Sequence, residues 1–125
     1  MPDNSGDHAL TPLFERASDP AFIVDPLEDR IVAANRAGCA MLGYTRDELL
    51  VTPVSHIHPA DLPQLREFID TVQRDGRGST IKLTCRTKSG TFLPTEMSLV
   101  VLRGGIRILA LLRDRSEHRQ PDPGD

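Results

Sequence analysis

Between Thr80 and Leu112 the chain is strand-like along almost its whole length, and this stretch constrains the fold more than any other. Ile81, Leu83 and Cys85 alternate with Thr80, Lys82, Thr84 and Arg86, the two-residue period of a strand with one face in a core. Lys88-Ser89-Gly90 then supplies turn residues. Phe92–Leu102 forms a second run, Arg103-Gly104-Gly105 a second turn and Ile106–Leu112 a third run. Three runs joined by short turns predict an antiparallel arrangement. A sheet of this kind must be covered on its apolar face.

The remainder of the chain supplies the cover. Ala21-Phe22-Ile23-Val24 and Arg30-Ile31-Val32-Ala33-Ala34 read as two strands about the polar turn Asp25–Asp29. Asn35 is placed to cap a short helix carrying Ala37, Ala40 and Met41, and Gly43 to close it. Thr45-Arg46-Asp47-Glu48 is a capping box ahead of Leu49 and Leu50. After the Pro53–Pro59 stretch comes the longest helix, with Asp61 as its cap. Leu62, Leu65, Phe68, Ile69 and Val72 form its apolar face, and Gly76 and Gly78 end it. Upstream, Thr11 and Pro12 suit the start of a short helix over residues 10–18 with Leu13, Phe14 and Ala17 as its stripe, stopped by Pro20. Strands at both ends with helices between predict an α+β fold, a mostly antiparallel sheet with helices on one face. Residues 1–9 read as a loose leader, 10–119 as one domain and 120–125 as a tail rich in Pro and Gly.

Composition excludes several functions. The 125 residues suit a single domain. Leu, Ile, Val and Phe make up about a quarter of them, enough for a core. A net charge of −3 argues against a binder that lives on phosphate contacts. No apolar run approaches the roughly 18 residues of a membrane span, and the polar, acidic start is no signal peptide. A soluble, cytoplasmic domain is expected. Cys39 and Cys85 make no disulfide framework and are expected as small buried hydrophobes. With one Tyr, four Phe and no Trp, aromatic cages and base-stacking platforms are disfavoured.

Six landmarks in order, over nearly all of the predicted domain, give the chain a resemblance to a known family. They are F-I-V-D at Phe22–Asp25, I-V-A-A-N at Ile31–Asn35 and L-G-Y-T-R-D-E-L at Leu42–Leu49. I-H-P-A-D at Ile57–Asp61, T-K-S-G at Thr87–Gly90 and R-D-R-S-E at Arg113–Glu117 complete the set. With these the chain resembles a PAS domain, the sensory box of bacterial signalling proteins. The resemblance implies a five-stranded antiparallel sheet, covered on one face by short helices and one longer helix. It also implies a function: sensing through the cavity so formed, or dimerising, and relaying the change to an effector domain or partner. Asn35, Gly43, His58, Asp61, Gly90 and Asp114 are the structural positions of its motifs.

The resemblance also sharpens the sites. The family's covalent flavin photoreceptors carry a reactive Cys where this chain has Val54, and its haem sensors take a His from the long helix, which has none between Leu62 and Gly76. No cofactor is therefore expected, although an apolar ligand or a non-covalent flavin stays open. His56 and His58 form an H-x-H pair with Asp61 as the nearest further ligand, too few for a metal site; His58-Pro59-Ala60-Asp61 also matches the ordinary start of the long helix. No nucleophile elbow, P-loop or H-E-x-x-H occurs, and no enzyme activity is expected. Alternation, paired to the family's strands, places Ile81, Leu83, Cys85, Met97, Leu99, Ala110 and Leu112 on the inner face opposite Met41, Phe68, Ile69 and Val72. These either fill a core or line a pocket for a fatty acid or aromatic compound. Val100, Leu102, Leu109 and Leu111 fall on the outer face, where polar residues are usual. With Leu13, Phe14 and Ala17 they are the expected homodimer interface. At the exit, Asp114-Arg115-Ser116-Glu117-His118 departs from the family's D-I-T-E-R, with Asp114 expected to pair with an Arg. No effector region follows in this sequence, so the output is expected elsewhere in a larger regulator or on a partner.

Overall fold

The structure is a computed structural model and describes residues 14, 15, 17–58 and 62–116. Leu13, Asp61, the leader and the tail lie outside the described residues.

Strands β1 (Ala21–Asp25) and β2 (Arg30–Ala34) form an antiparallel hairpin. Its turn is held by Asp25, whose Oδ1 accepts from the amides of Leu27 and Glu28. Three short helices follow: α1 (Arg36–Leu42), α2 (Arg46–Leu50) and α3 (Val54–Ile57). The first ends because Gly43, at φ +83°, takes the left-handed position that closes the helix. The second begins with the Thr45–Glu48 capping box. Lys88 donates to Glu48 across from it, and these hydrogen bonds hold the Glu48 carboxyl below its ordinary pKa. Helix α4 (Leu62–Asp75) is the long one and buries Leu65 and Val72.

Strands β3 (Arg77–Thr80), β4 (Thr84–Arg86), β5 (Phe92–Val101) and β6 (Ile108–Asp114) complete an antiparallel sheet. Its order is β2-β1-β6-β5-β3, and β4 also pairs with β5. Strands β1 and β6, the first and last among the described residues, are thus neighbours in the middle of the sheet.

The family resemblance implies five strands where six form among the described residues, because the run at Thr80–Arg86 breaks in two. Thr80 pairs with Met97 and Thr84 with Pro94, so three residues on one side face two on the other. The extra residue is taken up at Ile81-Lys82-Leu83, where Leu83 O accepts from Thr95 N and Oγ1. A one-residue insertion turns later side chains to the other face. Ile81 is accordingly 55% exposed while Leu83 and Cys85 are buried. The expected inward position of Ile81 is corrected: it faces solvent.

Registers across the sheet align two apolar rows. Leu99, Ala110, Phe22 and Ala34 are successive partners on the covered face, and all four are buried. On the opposite face Val100, Leu109, Ile23 and Ala33 are successive partners in the same way. The core beneath the helices takes in Leu42, Leu49, Ile57, Leu65, Val72, Leu83 and Met97.

Candidate functional site

Two places in the fold are candidate sites: the space between helices and sheet, and the outer face of the sheet. The inner space is a cavity of about 50 Å³. Ile69, Cys85, Met97, Leu99, Ala110 and Leu112 line it, together with Phe22, Val24, Ile31, Leu42, Val54, Ile57, His58 and Leu65. Val72 and Leu83 are buried in the core behind this lining. Phe68 packs over Gly78, where a Cβ would stand 3.2 Å from its ring. Met41 packs at the edge of the core and lines a shallow cleft with Lys88, Ser89 and Asp114. Ligand pockets for drug-sized molecules run to roughly 300 Å³ and above. A space of about 50 Å³ admits a water or a comparably small apolar molecule.

His58 and Cys85 bring polar atoms to this lining. His58 Nδ1 lies 2.7 Å from Thr84 O, and its Nε2 lies 4.0 Å from Cys85 Sγ. That contact was not legible in the sequence, because residues 58 and 85 meet through the pairing of α3 with β4. His56, two residues earlier, is exposed on α3. The H-x-H pair therefore does not converge, since the two residues stand on a helix and its cap rather than on a strand. No group of three His, Cys, Asp or Glu side chains that could hold a metal ion occurs among the described residues. Cys39 is half-buried, and burial pushes its thiol pKa up against the opposing pull of Arg46, with Glu15 adding to the rise.

The outer face carries more open apolar surface. Val100 is 41% exposed and Leu111 39%, with Leu102 and Leu109 half-buried beside them. Toward β2 the face deepens into a groove of about 330 Å³. Ile23, Val32, Leu50 and Leu102 give it an apolar surface, Phe14 and Glu15 stand along it, and Arg46 and Arg107 complete the lining. Arg46 and Glu15 form an ion pair. The sequence reading missed Ile23, Val32 and Ala33 here. Ile23 and Ala33 stand opposite each other in the row with Leu109 and Val100, and Val32 is the extra residue where the register shifts between Ile23 and Val24. A bulge and a sheet order are set between strands, so nothing local marks these residues.

The segment leading into β1 crosses this region. Asn35, fully buried, holds it: the side-chain Nδ2 donates to Phe14 O and Asp19 O at 2.9 and 3.0 Å. The exit is held too, with Leu112 N donating to Pro20 O and Arg115 N to Pro94 O. Asp114 accepts from Ser116 N at 2.9 Å and from its Oγ. Among the described residues it forms no ion pair with an Arg; the hydroxyl at Ser116 offers a local partner two residues away.

This architecture is an α+β domain with helices on one face of an antiparallel sheet, and comparison with known proteins agrees with it. The sequence profile of a family described as PAS domain matches residues 18–117. The chain belongs to the PAS domain family.

A PAS domain of a protein from Colwellia psychrerythraea is similar at 21% identity and a TM-score of 0.76, over 88% of this chain and 97% of that one. A domain of a sensory box sensor histidine kinase/response regulator from Geobacter sulfurreducens reaches 30% identity and a TM-score of 0.67, over 87% and 94%. A Rhodobacter sphaeroides LOV protein has 18% identity and a TM-score of 0.81, over 94% and 70%. No curated protein matches the chain. Among the described residues no helix is long and apolar enough to cross a membrane.

Proposed function

We propose that this PAS domain is a cytoplasmic, non-catalytic interaction module that dimerises through the outer face of its sheet. It passes the resulting geometry to an effector domain or partner of a signalling pathway. The observation that carries the reading is the row Val100, Leu109, Ile23 and Ala33, apolar across four strands on the face away from the helices. An antiparallel sheet with one free face shows polar residues there, whereas here Val100 and Leu111 are exposed and Leu109, Ile23 and Ala33 half-buried, and apolar side chains left open together are a feature of interaction sites. Sensor kinases among the similar structures support a signalling role.

The inner space supports the same choice. An inner space of about 50 Å³ lends no support to a bound flavin, and Val54, which lines it from α3, offers no nucleophile for a flavin adduct. A fatty acid or aromatic guest would require Met97 and its neighbours to repack.

Sedimentation equilibrium tests the reading. The wild-type chain is expected to dimerise at micromolar concentration, and Val100→Asp with Leu111→Asp to raise the dissociation constant at least about tenfold with the fold retained. A wild-type chain that stays monomeric at several hundred micromolar would overturn it.

A further inference from the structure

Asn35 satisfies every hydrogen-bonding position of its side chain with backbone groups. Its Oδ1 accepts from Ala21 N at 2.9 Å and Gly38 N at 2.8 Å. Its Nδ2 donates to Phe14 O and Asp19 O, with Ala17 O at 3.5 Å. Two amide donors on one side and three carbonyls on the other settle which atom is oxygen. The main chain is equally committed: Asn35 N donates to Ala21 O, and Asn35 O accepts from Cys39 N, both at 3.0 Å.

These partners fall into two groups. The Nδ2 side faces the carbonyls of Phe14, Ala17 and Asp19, and the Oδ1 side faces the first residue of β1 and the first turn of α1. A carboxamide is planar, so its donors and acceptors turn together. A helix cap needs a side-chain oxygen alone, and Ser, Thr or Asp supplies one as well. The second set of bonds needs an amide. Phe14 and Ala17, whose carbonyls it faces, belong to the proposed dimer interface.

We infer that Asn35 is a joint that sets the positions of Phe14, Ala17 and Asp19 from the core, its two-sided carboxamide tying them to α1 and β1. Its consequence for assembly rests on the outer-face reading, whereas the joint itself lies within one chain.

Asn35→Asp in the full chain is the decisive variant. It is nearly isosteric and keeps the oxygen that caps α1, but sets a second oxygen against the carbonyls of Phe14 and Asp19. Backbone order parameters by NMR, taken where the chain is monomeric, are expected to fall at residues 17–19 from about 0.85 to below about 0.6, with those of β5 and α4 unchanged. The dimer dissociation constant is expected to rise at least about tenfold. Asn35→Ser, which keeps a cap without a buried charge, should move both readouts the same way and serves if the Asp variant does not fold. Val100→Asp with Leu111→Asp should weaken the dimer while leaving residues 17–19 rigid. Unchanged order at 17–19 in the folded Asn35 variants overturns the joint. A monomeric wild type with the same loss of order at 17–19 supports the joint and removes the dimer reading alone.

Discussion

At the scale of single residues, the bulge between β3 and β4 separates side chains that the sequence makes look alike. Ile81 and Leu83 share a parity and a chemistry, yet one is solvent-facing and the other fully buried. Leu83→Ala is expected to lose about 2–5 kcal/mol, the range for emptying a core position. Ile81→Thr should stay within about 0.5 kcal/mol, as surface changes do. Urea denaturation of the two variants measures both. Equal losses would mean that the run is one continuous strand after all.

Packing between elements explains a position that helix propensity alone would misjudge. Gly38 lies inside α1, where Ala would ordinarily add about 1 kcal/mol of helix stability. A Cβ there would stand 2.8 Å from the ring of Phe22 and 3.2 Å from Ala21 O. Neither the buried ring on β1 nor the strand backbone can give way cheaply. Gly38→Ala should therefore lower the urea midpoint by the equivalent of about 1–3 kcal/mol, and a raised midpoint would refute the close packing of α1 on β1. Most of the elements were legible because their signals are local: Asn35 and Thr45 as caps, Gly43 as a stop, the alternation in β5 and β6. The short helix α3 was not, since Val54–Ile57 has no cap of its own side chains. It is fixed instead from β2's side by Asp29, which accepts from Ser55 N and Oγ. The break at Ile81 was hidden for the same reason: the register of β5 decides it, and a register is set between strands rather than along one. Leu13, Asp61 and the exit beyond Ser116 lie outside the described residues.

Taken as a whole molecule, the domain uses its two sheet faces differently. The covered face closes over its core and leaves about 50 Å³. The outer face keeps an apolar row and a groove of about 330 Å³. The pattern of β5 and β6 already indicated half of that row; the half on β1 and β2 emerged with the sheet order. A soluble paramagnetic reagent tests whether this face is where two chains meet. With methyl-labelled protein, the methyls of Val100, Leu109, Leu111 and Ile23 should be broadened at concentrations where the chain is monomeric and protected where it is dimeric. Leu99 and Ile108, on the inner face, should be protected in both. Equal broadening of the four outer methyls across a concentration range in which the chain dimerises would place the interface elsewhere and contradict the account.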